Sequence, residues 1–168
     1  YFAIVAAKHG AGKVYAIEAS KEAAASARTA VQKAGYKTGL FGKWGLGYPG
    51  SEGDPMNQGF DTFYGYNCQR LGHNYYPMHL WSNQDSIVLE GNKNAGKQVY
   101  APDLIHEQTL KFISDNKDNP FFLFIASIIP HAELAAPEQY MEKFREKYEE
   151  GKPYYGAEDH SRRVHATE

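Results

Sequence analysis

Gly35-Tyr36-Lys37-Thr38-Gly39-Leu40-Phe41-Gly42-Lys43-Trp44-Gly45-Leu46-Gly47 is the stretch on which the reading of this chain turns. Thr38 to Phe41 is a short β-prone core that runs into a glycine-rich turn holding one lysine and one tryptophan. Glycines let a backbone turn sharply and come close to a ligand. Lys43 is therefore expected at the end of a strand as a fixed positive charge, which suits a sulfate or phosphate oxygen cluster. A plain turn with a solvated lysine uses the same residue types, so this stretch alone leaves both readings open.

On its N-terminal side, Lys13-Val14-Tyr15-Ala16-Ile17 reads as a strand. Ser20 then caps an alanine-rich helix. Ala23, Ala24, Ala27, Ala30, Val31 and Ala34 recur at helical spacing, and Gly35 stops the helix. Residues 1–33 are thus expected to form a βα segment of an α/β fold.

On the other side, Tyr48 to Pro55 is loop chemistry, and Gly59 to Tyr66 is an aromatic block. Phe60, Phe63 and Tyr64 are expected to pack in or around the core. His73 falls in a loop, where it either meets a ligand or bonds to backbone. Residues 83–97 read as a surface hairpin, with Ile87-Val88-Leu89 as its strand and turns at Gly91-Asn92 and Ala95-Gly96. A helix is expected from Asp103 to about Asp115, with Pro102 before it. Ile105, Thr109, Phe112 and Ile113 would face inward and His106 outward. Phe121 to Ile128 is nearly all apolar, the pattern of a parallel strand covered on both faces. Pro137 opens a last helix, with Tyr140, Met141, Phe144 and Tyr148 expected to pack on one face. Ligands of open α/β sheets sit beyond the carboxyl ends of the strands. Lys43 and His131 both follow strands, so both are expected to reach one crevice.

Composition narrows the classes. The 168 residues give room for one domain with a real core. Eighteen Lys plus Arg against 20 Asp plus Glu argue against a nucleic-acid partner. Aromatic residues make up 14% of the chain, led by 13 Tyr, which favours an ordered protein with surfaces suited to sugars. A single Cys excludes an internal disulfide framework. No apolar run reaches the roughly 18 residues of a membrane span. No stretch has the basic start, apolar centre and small-residue end of a secretion signal.

Residues 35–47 resemble the second signature of the sulfatase family, and the blocks that follow keep that family's order. They are Asn57 to Tyr66, His73-Asn74-Tyr75-Tyr76-Pro77, Tyr100-Ala101-Pro102-Asp103, Pro120 to Phe124, and Pro130 to Pro137. The likeness is to the arylsulfatase type. It implies a partial alkaline-phosphatase-like α/β domain over residues 34–160, with a mainly parallel sheet flanked by helices, and a polar tail at 161–168. It also implies a sulfuric ester hydrolase acting on a sulfated small molecule or glycan, with formylglycine and Ca2+ in the complete enzyme. Lys43 and His131 would be catalytic and would hold the sulfate, with His73 and Trp44 as further substrate contacts. Secreted, periplasmic or lysosomal homes are what the family implies.

The chain departs from the family pattern in three places. Gly45 stands where many members carry His. No Cys/Ser-x-Pro-x-Arg precursor of formylglycine is present, since Cys68 is followed by Gln69, Arg70 and Leu71. The family's calcium-holding Asp pair and Asp-Asn pair have no counterpart. The chain is therefore expected to be the middle of an enzyme and to be inactive alone, or a non-catalytic relative that binds sulfated glycan. Residues 11–35 are also similar to a segment of the protein arginine methyltransferases. That likeness implies a third reading, in which Glu18 would bind the ribose of S-adenosylmethionine.

Overall fold

The computed structural model describes residues 31, 33–131, 135–145 and 147. The strand read at 13–17, most of the alanine-rich helix, Tyr148 and the polar tail lie outside them. Five strands form one sheet: β1 (Lys37–Lys43), β2 (Thr62–Tyr66), β3 (His79–Ser82), β4 (Asp85–Val88) and β5 (Phe121–Ala126). A 16-residue helix, α1 (Ala101–Asn116), crosses over between β4 and β5, and a single turn, α2 (Glu138–Met141), follows.

The spatial order is β4-β3-β2-β1-β5. The stretch that opened the argument is thus the middle strand of a parallel trio, paired to β2 on one side and β5 on the other. Its residues Thr38 to Gly42 are all buried. The two long connections, 44–61 and the one carrying α1, are what parallel neighbours require. β3 and β4 add an antiparallel hairpin at the β2 edge, so the sheet is mixed. Thr38 locks the starts of β1 and β2 together. Its N–H donates to Asp61 Oδ2 and its hydroxyl to Gly59 O, both at 2.9 Å.

α1 lies against β1 and β2 through Ala101, Ile105, Thr109 and Phe112. Pro102 sits in its first turn, where a missing N–H costs nothing. The Phe112 ring packs on Phe41 with centroids 5.5 Å apart. Gly39 makes room for both, because a methyl there would lie 2.8 Å from Phe41 and 2.9 Å from Phe112. His106 faces solvent, as expected.

Three expectations change. The hairpin at 83–97 turns earlier: Asn83, at φ 53°, joins β3 to β4, so the partner of Ile87-Val88 is the aromatic stretch before the turn. Residues 90–95 form a 3₁₀ segment around Asn92, whose buried amide donates to Pro77 O and Val99 O and accepts from the Gln98 and Val99 N–H groups. A buried amide that fills all its bonds organises a loop better than a turn signal can. The face expected on the last helix is not buried, with Tyr140 38% and Phe144 45% exposed. Tyr140 instead meets Tyr100 and donates to Asp103 Oδ1. Finally, β5 is parallel as expected but stands at the edge among the described residues, leaving Phe124 and Ile125 exposed.

Candidate functional site

Lys43 is the last residue of β1 and lies opposite Tyr66, the last residue of β2. Gly42 precedes it at φ 118°, a left-handed backbone that brings β1 against the Ala126 carbonyl of β5. The chain then turns away. Trp44 N–H donates to Tyr66 O at 2.9 Å, and its Nε1–H donates to Gly53 O at 2.6 Å. The indole edge meets Phe60 at 5.8 Å. Trp44 therefore braces the loop that leaves the strand, and its one polar hydrogen is already used.

Asp54 is the buried peg of that loop. Its carboxylate accepts from Gly50 N (2.6 Å), Met56 N (3.0 Å) and Gln84 Nε2 (2.7 Å). Burial alone would push its pKa up; the two amides and Gln84 together outweigh that and hold the carboxyl below its ordinary value. A depressed carboxyl adds stability above the unfolded value, and that stability is lost as pH falls through the folded value. Asp54→Ala is expected to cost about 1–3 kcal/mol by orphaning three donors. It should also flatten the acid limb of a plot of melting temperature against pH. An unchanged acid limb would remove this role.

A second loop brings in the histidines. After β2, Leu71–His73 forms a 3₁₀ turn in which buried Gly72 presses directly on the Lys43 side chain. A methyl on Gly72 would overlap Lys43 Cδ, so a larger residue there must push the lysine side chain aside. Tyr66 Oη donates to Asn74 O at 2.9 Å and ties this loop to β2. His73, which follows Gly72, lies against His131 with ring centroids 4.2 Å apart and planes at 54°. His131 is placed by Tyr75, whose buried phenol accepts from His131 N–H at 2.8 Å and donates to Ile128 O at 3.3 Å. The Ile129–Pro130 peptide between them is cis.

Lys43 ends β1, His73 follows β2 and His131 follows β5, so all three lie past the carboxyl ends of the parallel strands, with Gly72 against Lys43 and His73 against His131. Trp44 borders them as a brace, and Glu18 lies outside the described residues. Sequence reasoning missed the parts that hold the group in place: Gly72, Tyr75, Asp54 and Gln69. The Gln69 side chain covers Gly45, where a Cβ would lie 2.6 Å from it. Asn67, one residue past β2, is also buried there, and its Nδ2 finds no acceptor among the described residues. Tyr75 stood within one of the family-like blocks, and Gly72, as a glycine beside a histidine, left a weaker signal.

The chemistry of this donor set is selective. One ammonium and two imidazoles favour an anion with several oxygens. They do not fit calcium, which takes six to eight oxygen ligands. Among the described residues no three His, Cys, Asp or Glu side chains cluster in a way that would hold a metal ion. Asp54, the buried carboxylate of the loop after Lys43, is used up by that loop. No helix of the described residues is long and apolar enough to cross a membrane.

The fold is that of an α/β protein in which one lysine and two histidines follow the carboxyl ends of parallel strands. The model of the family described as Sulfatase matches residues 8–165, and the chain belongs to the sulfatase family. That match takes in residues 8–33 of the βα segment, part of which resembles the methyltransferases. The chain is similar to arylsulfatase J of Mus musculus, 28% identical over 123 residues, covering 68% of this chain and 20% of that protein. It is also similar to an N-acetylglucosamine-6-O-sulfatase of Bacteroides thetaiotaomicron, 30% identical over 102 residues, covering 60% and 16%. Among solved structures it is similar to Ps i-CgsB in complex with k-i-k-neocarrahexaose, with TM-score 0.54 and 27% identity over 68% of this chain and 28% of that one. The chain therefore spans about a fifth of the length of these curated relatives.

Proposed function

We propose that this chain carries the sulfate-holding part of a sulfuric ester hydrolase whose substrate is a sulfated glycan. The observation that carries the reading is the convergence of Lys43, His73 and His131 at one end of the sheet. One relative named for a sulfated sugar, and one solved structure with a neocarrahexaose, favour a glycan over other sulfate esters.

In this reading Lys43 places a permanent charge where negative charge develops on the sulfate oxygens, a preorganised stabilisation that needs no proton. His131, its backbone fixed by Tyr75, donates a hydrogen bond to sulfate or a proton to the departing alcohol oxygen. His73 supports it from the neighbouring loop. The nucleophile of the family is a formylglycine, and Cys68 does not stand in the motif that yields one. The donors described here do not fit calcium either. No step is routed through these groups.

Titration of the whole chain with sodium sulfate, followed by NMR at the imidazole signals, tests the reading. Saturable shifts are expected at both His73 and His131, and to be absent with chloride at matched ionic strength. Shifts that track ionic strength alone would end it.

A further inference from the structure

Two side chains just past Lys43 are the most exposed large apolar groups among the described residues: Leu46 at 70% and Tyr48 at 73%. They do not ride on a loose loop. Ser51 N–H and Ser51 Oγ both donate to Tyr48 O, at 3.0 and 2.7 Å. Asp54 holds Gly50, Trp44 holds Gly53, and Asn57 Nδ2 reaches back to Ser51 O at 2.8 Å. The backbone is thus pinned from several directions while the side chains stand in water. A backbone fixed beneath an exposed ring lowers the entropy lost when a ligand covers that ring, since only the side-chain torsions remain to be ordered.

From this geometry we infer that Tyr48, flanked by Leu46, is the platform on which the sugar ring of the substrate stacks. The inference rests on the sulfate reading above and deepens it. A sulfate ester has two halves, and an ester whose sulfate lies at Lys43 must send its carbon skeleton out of the crevice. Tyr48 follows Lys43 by only five residues, on the loop that leaves β1 at this end of the sheet. A pyranose presents an apolar C–H face, which suits a phenol ring with an aliphatic neighbour. The loop argues against a second sulfate there, since residues 44–54 hold no Lys or Arg and expose Glu52. The occupant is an uncharged part of the sugar ring.

The test compares inorganic sulfate, N-acetylglucosamine 6-sulfate and unsulfated N-acetylglucosamine, each titrated into the whole chain and into its Tyr48→Ala and Tyr48→Phe variants. The Tyr48 contact to the loop is made by its backbone carbonyl, so both variants keep the fold, and matching melting curves check this. The sulfated sugar is expected to bind Tyr48→Ala about three- to tenfold more weakly than the original chain. Tyr48→Phe should restore it, and sulfate should show no such dependence. Equal losses for sulfate and sulfated sugar, or no loss for either, overturn the platform. If the original chain ignores sulfate yet binds both sugars in a Tyr48-dependent way, the platform stands and the sulfate reading falls. If it binds none of the three, both fall.

Discussion

Gly42→Ala is expected to destabilise the chain by about 3 kcal/mol or more, a fall in melting temperature on the order of 10 °C. Two penalties add at this position. Its φ of 118° is one that L side chains rarely adopt. Its new methyl would also run into the Ala126 carbonyl, a backbone atom of the paired strand that no rotamer change can move. Relief requires β5 to move away from β1. Because β5 leads into His131, the loss reaches the site as well as the sheet. Gly65→Ala tests the same junction from the other side, since its methyl would meet the Gly42 carbonyl. Thermal melts of the two variants beside Gly35→Ala, where nothing lies within 4 Å of the added carbon, separate crowding from the cost of a positive φ. Melting of Gly42→Ala within a degree or two of the original chain would show that β1 and β5 are not joined as described.

Lys43→Ala should weaken sulfate binding by about ten- to a hundredfold, or about 1.4–2.7 kcal/mol, and leave the melting temperature nearly unchanged. Lys43 is half-exposed at the end of its strand, and its charge serves no ion pair among the described residues, so removing it orphans nothing. The attraction is between a partly exposed charge and a divalent anion, so it should also shrink as salt is raised. Lys43→Arg is the more revealing variant. It keeps the charge, but a planar guanidinium must pass Gly72, which already touches the lysine stem. Partial retention of binding by Arg and loss by Ala identifies a charge held at a fixed place. Full binding by Ala would move the anion site elsewhere.

Much of this was legible in the sequence because the signals were local. Alternation of apolar residues and glycine gave β1, an unbroken apolar run gave β5, and the spacing of Ile105, Thr109 and Phe112 gave α1. Lys43 and His131 could be placed together because residues that follow parallel strands share one end of a sheet. What the sequence did not disclose was long-range. The contact of His73 with His131 joins residues 58 apart, and its fixing bond from His131 to Tyr75 spans 56. Nothing in Tyr75 distinguishes it from Tyr76 until the fold turns one phenol inward. Asp54 looked like one more polar residue in a loop of glycines. Its value comes from Gln84, 30 residues away, arriving over it. The hairpin was misplaced for a related reason: Asn83 gave a weaker turn signal than Gly91-Asn92, yet tertiary pairing with β2 chose the earlier turn.

The edge that β5 forms among the described residues has a practical meaning for anyone who purifies this chain. Phe124 and Ile125 are 42% and 53% exposed on backbone that pairs with a strand on one side only among the described residues, and Ile129, beyond the strand, is 52% exposed. Such an edge is a template for another chain. The isolated polypeptide is expected to be adhesive, sedimenting as larger species as its concentration rises, with Ile125→Lys keeping it dispersed. Binding work on this protein then becomes a matter of dilution as much as of affinity.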